Sequence, residues 1–198
     1  MTSAAARIYL ASQSPRRREL LNQLGIRHRV LVPDVDEAAR PREAPEIYVR
    51  RIARIKAEVA AMRARERRMK ELPVLAADTA VVLGGRILGK PADEAEAAAM
   101  LAQLSGKRHR VLTAVTVLFR GKLAAALSDT RVEFRRLSPA DIEAYVATGE
   151  PLDKAGAYGI QGRAAAFVRR IEGSYSGVMG LPLFETAQLL GKMGIRIP

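Results

Sequence analysis

Cysteine and tryptophan are both missing from this 198-residue chain, and histidine occurs only at His28 and His109. Without cysteine there is no disulfide, no thiolate nucleophile and no cysteine-ligated zinc. With two histidines a multi-histidine metal site is not expected either, so any metal would be a hard cation held by carboxylates and phosphate oxygens. No apolar run approaches the roughly 18 residues of a membrane span. The opening stretch "MTSAAARIYLAS" holds too short an apolar segment for a secretory signal. These absences point to a cytoplasmic protein. Aromatics make up only 5% of the chain, and none is interleaved with the basic run "RRIARIKAEVAAMRARERRMK", so the stacking platforms of a single-strand nucleic-acid binder are missing there. Acidic residues are outnumbered 21 to 33, leaving a net charge of +12. That excess reads either as an arginine-rich solvated surface or as the footprint of an anionic partner, nucleic acid or a small polyphosphate.

What is present is a packable chain. Hydrophobic residues are 48% and charged residues 27%, a balance that supports a core, and the length suits one domain over 1–198 or two small lobes. Residues 7–12 read as a short buried strand, and 15–24 as a helix with Gly25 past its end. Residues 28–33 read as a strand, about 45–71 as a long basic helix, and "PVLAADTAVVL" as a strand broken by Asp78-Thr79. "GGRILGKP" reads as a hairpin-like return, and "ADEAEAAAMLAQLSG" as a helix ending at Gly106. Two strands follow around a Gly121 turn, then a helix capped by Ser138 with Pro139 in its first position. "AGAYGIQGRAAAFVRRIEG" predicts glycine-broken strands, and "LPLFETAQLLGKMG" a last helix. Strands alternating with helices, some hairpin-linked, predict an α/β fold with a mixed sheet.

Four segments carry chemistry. In "LASQSPRRRELLNQLGI", Ser14 would cap a helix and Pro15 open it, which puts Arg16 and Arg17 in the first turn. Cations there oppose the helix dipole by roughly 0.3–1 kcal/mol each. With Leu20, Leu21 and Leu24 on the buried face, Arg17 points along that face, Arg16 flanks it and Arg18 lies off to the other side. Either the arginines snorkel to solvent, or free N–H groups and guanidinium forks await a phosphate. In "LAADTAVVLGGRILGKP", Asp78 interrupts an apolar strand, so its carboxylate either faces a cleft or is buried with a partner; Lys56 and Lys90 are candidates for that partner or for phosphate ligands. Gly84 to Lys90 also matches the body of a Walker A loop, but Pro91 stands where the Mg²⁺-binding hydroxyl belongs, and the P-loop is rejected. "PDVDEAARP" supplies Asp34, Asp36 and Glu37, either solvated acids or part of a Mg²⁺ site. Near the C-terminus, glycines at 156, 159, 162, 173, 177 and 180 imply tight turns or close approach to a ligand. Among them Gln161 offers the donor and acceptor that a pyrimidine edge demands, unless it simply sits on an exposed strand face.

Taken in order, "LASQSPRRRELLNQLG", "DVDE", "YVRRIARIKA", "AADTAVVLGGRILGKP", "LSGKRHRVLTAV" and "PLDKAGAYGIQG...IEGSYSGVMGLPL" resemble the Maf family of nucleoside triphosphate pyrophosphatases along nearly the whole chain. The resemblance implies a single ITPase-like α/β domain, its mixed curved sheet flanked by helices, with two lobes around a substrate cleft. It implies cleavage between the α and β phosphates with a divalent cation, Mg²⁺ or Mn²⁺, and a homodimer as a plausible assembly. By resemblance, Asp78 is the proton acceptor, Glu37 and Asp78 are the metal carboxylates, and Ser12, Arg17, Lys56 and Lys90 handle phosphate. Arg16, Thr79 and Gln161 resemble the subgroup that prefers dTTP and UTP. The alternatives are the sister subgroup, acting on a methylated guanine nucleotide, and, more remotely, a nucleic-acid-binding protein. No nucleic-acid or membrane partner is implied, and whether Asp78 is base, metal ligand or both stays open.

Overall fold

The structure, a computed structural model, describes residues 7–195 and 197. The first six residues of the stretch read for a secretory signal, and the outermost ends of the 1–198 domain, lie outside them. The strands are β1 (Ile8–Leu10), β2 (His28–Val30), β3 (Val74–Leu83), β4 (Arg86–Leu88), β5 (Arg108–Phe119), β6 (Lys122–Phe134) and β7 (Val168–Glu172). They form one sheet in the order β2-β1-β3-β5-β6-β7, with β4 paired to β3. β1 runs parallel to β2 and β3, and every other pairing is antiparallel. The sheet is therefore mixed, as the alternation of strands and helices predicts.

The helices are α1 (Pro15–Gln23), α2 (Pro45–Glu66), α3 (Glu94–Leu104), α4 (Pro139–Val146), α5 (Tyr175–Met179) and α6 (Leu183–Lys192). Helix α2 buries Val49, Ile52, Ala53, Lys56, Ala57, Ala60 and Ala64. That spacing lays one stripe on the sheet, and its four alanines let the helix axis come close. The helix stops short of the predicted 71. Arg68 adopts φ 49°, its N–H bonds to the Arg65 carbonyl, and the Met69 N–H reaches back to Ala64. This is a Schellman ending, with arginine where glycine is the usual residue.

Strand β3 is not broken by Asp78-Thr79. It pairs with β5 continuously from Val74 to Val82, because ladder bonds use the backbone and both polar side chains find partners off it. Gly84 and Gly85, at φ 57° and 80°, make the two-residue turn into β4 that a primed hairpin requires. The rejected Walker-like segment is thus a hairpin. Helix α4 carries the expected cap, a reciprocal capping box between Ser138 and Asp141.

The glycine-broken strands predicted over 155–173 are a correction. 3₁₀ helices occupy Glu150–Asp153 and Arg163–Phe167, a turn with Gly156 and Ala157 left-handed (φ 69° and 59°) occupies Ala155–Ala157, and only β7 is extended. Gly156 explains the difference. It lies at φ 69° and a Cβ there would sit 2.8 Å from the Val81 side chain, so the glycine presses this segment onto β3 instead of interrupting a strand. Helix α5, capped by Ser174 onto the Gly177 N–H, is not foreseen from the sequence.

The apolar interior has two main bodies. One gathers Leu101, Leu104, Val132, Phe134 and Tyr145 between α3, α4 and the sheet. The other gathers Leu20, Leu21, Leu75, Leu189 and Leu190 under α1 and α6. Side chains from around both bodies meet in a single cleft.

Candidate active site

The sheet itself makes the cleft. β1 pairs with β3 only through Val74 and Leu75, and β4 joins β3 only from Val81. Asp78 and Thr79 lie in the interval between. The result is a cavity of about 510 Å³, lined by Ser12, Arg16, Arg17, Glu37, Lys56, Asp78, Thr79, Lys90 and Gln161. These are all the residues that the resemblance assigns to the site.

On the α2 side, Asp78 is 5% exposed. Its Oδ1 accepts from Lys56 Nζ at 2.8 Å, and the same ammonium stands 2.9 Å from Glu37 Oε2. Burial raises the Asp78 pKa above the usual carboxylate range, against the opposing pull of Lys56 and Arg17. Its Oδ2 is buried without a hydrogen-bond partner among the described residues. Tyr48 donates to the Glu37 carbonyl at 3.0 Å, and burial, with Asp78 and Glu37 nearby, pushes its hydroxyl up to about 12. Of the other acids in "DVDE", Asp34 lines the cleft, whereas Asp36 accepts from the Ala38 N–H at 2.9 Å, turned onto its own loop.

On the α1 side, the expected Ser14 cap is not made: the Ser14 side chain has no capping bond. Ser12 instead ties the approach to the helix, its Oγ accepting from the Ser14 N–H and from an Arg17 terminal nitrogen, each at 3.2 Å. Arg17 also donates from Nε to the Gly180 carbonyl at 2.8 Å and from its other terminal nitrogen to Thr79 Oγ1 at 3.2 Å. Burial lowers its pKa. Arg16 donates to Asp153 Oδ2 at 3.2 Å, and Arg18 is exposed. The helix thus turns Arg16 and Arg17 into the cleft and leaves Arg18 in solvent, as the helical phase predicts.

The far wall holds Lys90 and Gln161, both exposed at the rim, together with residues that sequence reasoning missed. Lys154 donates to the Glu150 carbonyl at 2.6 Å and pairs with Asp153. Tyr158 also lines the cavity, its hydroxyl 2.9 Å from His109 Nε2. The signal for Asp153 and Lys154 was a charged pair opening the glycine-rich run.

No cluster of three or more histidine, cysteine, aspartate or glutamate side chains suited to a metal is present among the described residues. The donor set still fits a hard cation of the kind that borrows ligands from phosphate. Glu37 and Asp78 converge on one ammonium, and Asp78, which lines the cleft, keeps an orphaned acceptor in Oδ2. Charge points the same way. Five cationic side chains (Arg16, Arg17, Lys56, Lys90, Lys154) and four carboxylates (Asp34, Glu37, Asp78, Asp153) line the cavity, an excess of one positive charge. A ligand carrying several negative charges needs more than that.

Comparison with known proteins finds relatives along nearly the whole chain. The family model described as "Maf-like protein" matches residues 7–193. The dTTP/UTP pyrophosphatase of Cupriavidus pinatubonensis is 60% identical over 196 residues, covering 96% of this chain and 98% of that one. The dTTP/UTP pyrophosphatase of Nitrosomonas europaea is 55% identical over 205 residues, covering 100% and 99%. Among solved structures, the Ham1 protein of Staphylococcus aureus is similar with a TM-score of 0.46 and 17% identity, over 64% of this chain and 71% of that one.

Proposed function

This chain belongs to the Maf family, and from that premise we propose that it hydrolyses dTTP and UTP to the monophosphate and pyrophosphate. The observation that carries the reading is Asp78: a buried carboxylate with one oxygen held by Lys56 and the other unpartnered, in a cleft lined by Arg17, Lys56 and Lys90. In the proposed reaction Asp78 Oδ2 takes a proton from water as that water attacks the α-phosphorus. The bond from the α-phosphorus to the α–β bridging oxygen breaks, and pyrophosphate leaves with the electron pair. Lys56 keeps Asp78 fixed, and the raised pKa makes the ionised carboxylate a stronger base than an exposed one. Arg17, tied to Ser12 and Gly180, is a rigid donor for the charge that builds on the phosphate oxygens. Lys90 at the rim receives the departing end.

A divalent cation, Mg²⁺ or Mn²⁺, belongs to this reading. Glu37 and Asp78 would hold it beside the phosphates, and when bound it supplies charge neutralisation and polarises phosphate oxygens. Arg16, Thr79 and Gln161 are proposed to choose the base. The setting proposed is cytoplasmic, with a nucleotide as partner in place of nucleic acid or membrane, and with a homodimer as the assembly. No described helix is long and apolar enough to cross a membrane.

The test is a panel of nucleotides, including UTP, dTTP and a methylated guanine nucleotide, with Asp78→Asn in parallel. Turnover of UTP and dTTP to monophosphate and pyrophosphate is expected, with at least a hundredfold loss in the variant, the scale of removing a general base. Near wild-type turnover by a folded variant would overturn the role of Asp78. Preference for the methylated purine would move the chain to the sister subgroup.

A further inference from the structure

The segment "LSGKRHRVLTAV" has no part in the mechanism above, yet its one threonine lies directly behind the cleft. Thr113 is fully buried, at 0% exposure, and stands opposite Thr79 in the β3–β5 register. Residues opposite each other on paired strands project from the same face, so the two hydroxyls meet at 3.0 Å. Thr113 Oγ1 is also 2.7 Å from the Gly177 carbonyl oxygen. Glycine makes that approach possible, since a Cβ at Gly177 would be 2.8 Å from Ser128 Oγ.

The proton positions along this chain follow from what each group can do. Two oxygens 2.7 Å apart need a proton between them. The Gly177 carbonyl has none, so the proton is that of Thr113. Thr113 Oγ1 can then only accept from Thr79, and the Thr79 proton is spent there. Arg17 has donors and no acceptor, so its contact at 3.2 Å occupies a lone pair of Thr79 Oγ1. What Thr79 has left to show the cleft, which it lines, is a lone pair.

We propose that Thr113 is a positioning residue for substrate choice: it holds the Thr79 hydroxyl as a pure hydrogen-bond acceptor toward the nucleotide base. The proposal rests on the reading of Thr79 as a base-selecting residue. Uracil and thymine carry an N3–H that such an acceptor welcomes. Cytosine presents a bare N3 lone pair, which it repels. Without the Thr113 hydroxyl, the Thr79 proton is free to turn toward the substrate, and the distinction weakens.

The experiment compares kcat/KM for UTP with that for CTP in Thr113→Val, Thr113→Ser, Thr79→Val and the double Thr79→Val/Thr113→Val variant. Thr113→Val is expected to lower the UTP-to-CTP ratio about three- to tenfold, the worth of one neutral hydrogen bond, mainly through gained CTP turnover. Thr113→Ser, which keeps the hydroxyl, is expected to hold the wild-type ratio. Thr113→Ala removes the same hydroxyl without setting a methyl against the Gly177 carbonyl, and supplies the measurement if the valine variant does not fold. In the Thr79→Val background the Thr113 substitution is expected to change the ratio no further, since it acts through Thr79. An unchanged ratio in Thr113→Val and Thr113→Ala beside an altered one in Thr79→Val overturns the role of Thr113 alone. Unchanged ratios in all of them overturn the base-selecting role of Thr79 and the proposal with it.

Discussion

An ionised Asp78 comes at a cost to the fold. Its pKa is raised by burial, so above that pKa the folded protein keeps a carboxylate ionised that would be more comfortable in water. Stability from such a group is present at low pH and lost as pH rises through its folded value. Asp78→Asn removes the charge and keeps an acceptor for Lys56. The expected outcome is a Tm at neutral pH equal to or above wild type, alongside the loss of hydrolysis, measured by thermal denaturation of the same samples. His109 works in the opposite sense. Burial pulls its pKa down to about 4, and it is packed edge-on against Phe134 and Tyr158. Above the unfolded value near 6.5 it is neutral in both states and nothing is lost. As pH falls from there toward about 4 the unfolded chain takes the proton first, and roughly 3 kcal/mol of stability drains away. His109→Gln, which keeps a partner for the Tyr158 hydroxyl, is expected to flatten the fall in unfolding free energy between pH 6.5 and 4.5. Parallel slopes in variant and wild type would show that the loss comes from other groups.

Among the elements, the end of α2 carries strain that the sequence does not announce. Arg68 is exposed and left-handed, a conformation that is costly for a residue with a Cβ. Arg68→Gly is expected to stabilise the protein by roughly 0.5–1 kcal/mol in urea titration, with kcat unchanged. The same residue shows why some boundaries were legible and others not. Ser138-Pro139 with Asp141 spells out a helix start through side chains that bond the backbone, and the Gly121 turn marks the β5–β6 hairpin through a local conformational demand. Nothing local marks Arg68 as a stop. Residues 155–167 failed for a related reason: Gly156 is there for contact with Val81, and Gly162 because a Cβ would collide with the Glu150 carboxylate, and both causes are tertiary. In the site, Asp78 was visible because a carboxylate is out of place in an apolar strand, and Arg16 and Arg17 because they break the charge rule for a helix start. Thr113 was invisible, since threonine is at home in a strand and only the register with Thr79 gives it a role.

At the scale of the whole molecule the question is where the net charge of +12 acts. Part of the basic surface is answered internally. Arg51 grips Glu43 through two nitrogens, each at 2.6 Å, Arg110 is held between Asp129 and Glu46, and Arg63 donates to the Val32 carbonyl. The cleft itself carries an excess of only one positive charge. Most of the +12 therefore lies outside the site, where it cannot touch a bound nucleotide but can draw one in. Such attraction acts on encounter more than on the bound complex, and added ions screen it over a Debye length of about 10 Å at 0.1 M salt. Raising KCl from about 0.05 to 0.5 M at saturating divalent cation is expected to lower kcat/KM for UTP several-fold and to leave kcat much less changed. The side chains proposed to hold the reacting phosphate, Arg17 and Lys56 above all, are half-buried or buried and fixed by short bonds within the protein, so their charges are screened little. A fall in kcat as large as that in kcat/KM would mean that salt reaches those contacts too. A flat kcat/KM would mean that the basic surface does not steer the triphosphate.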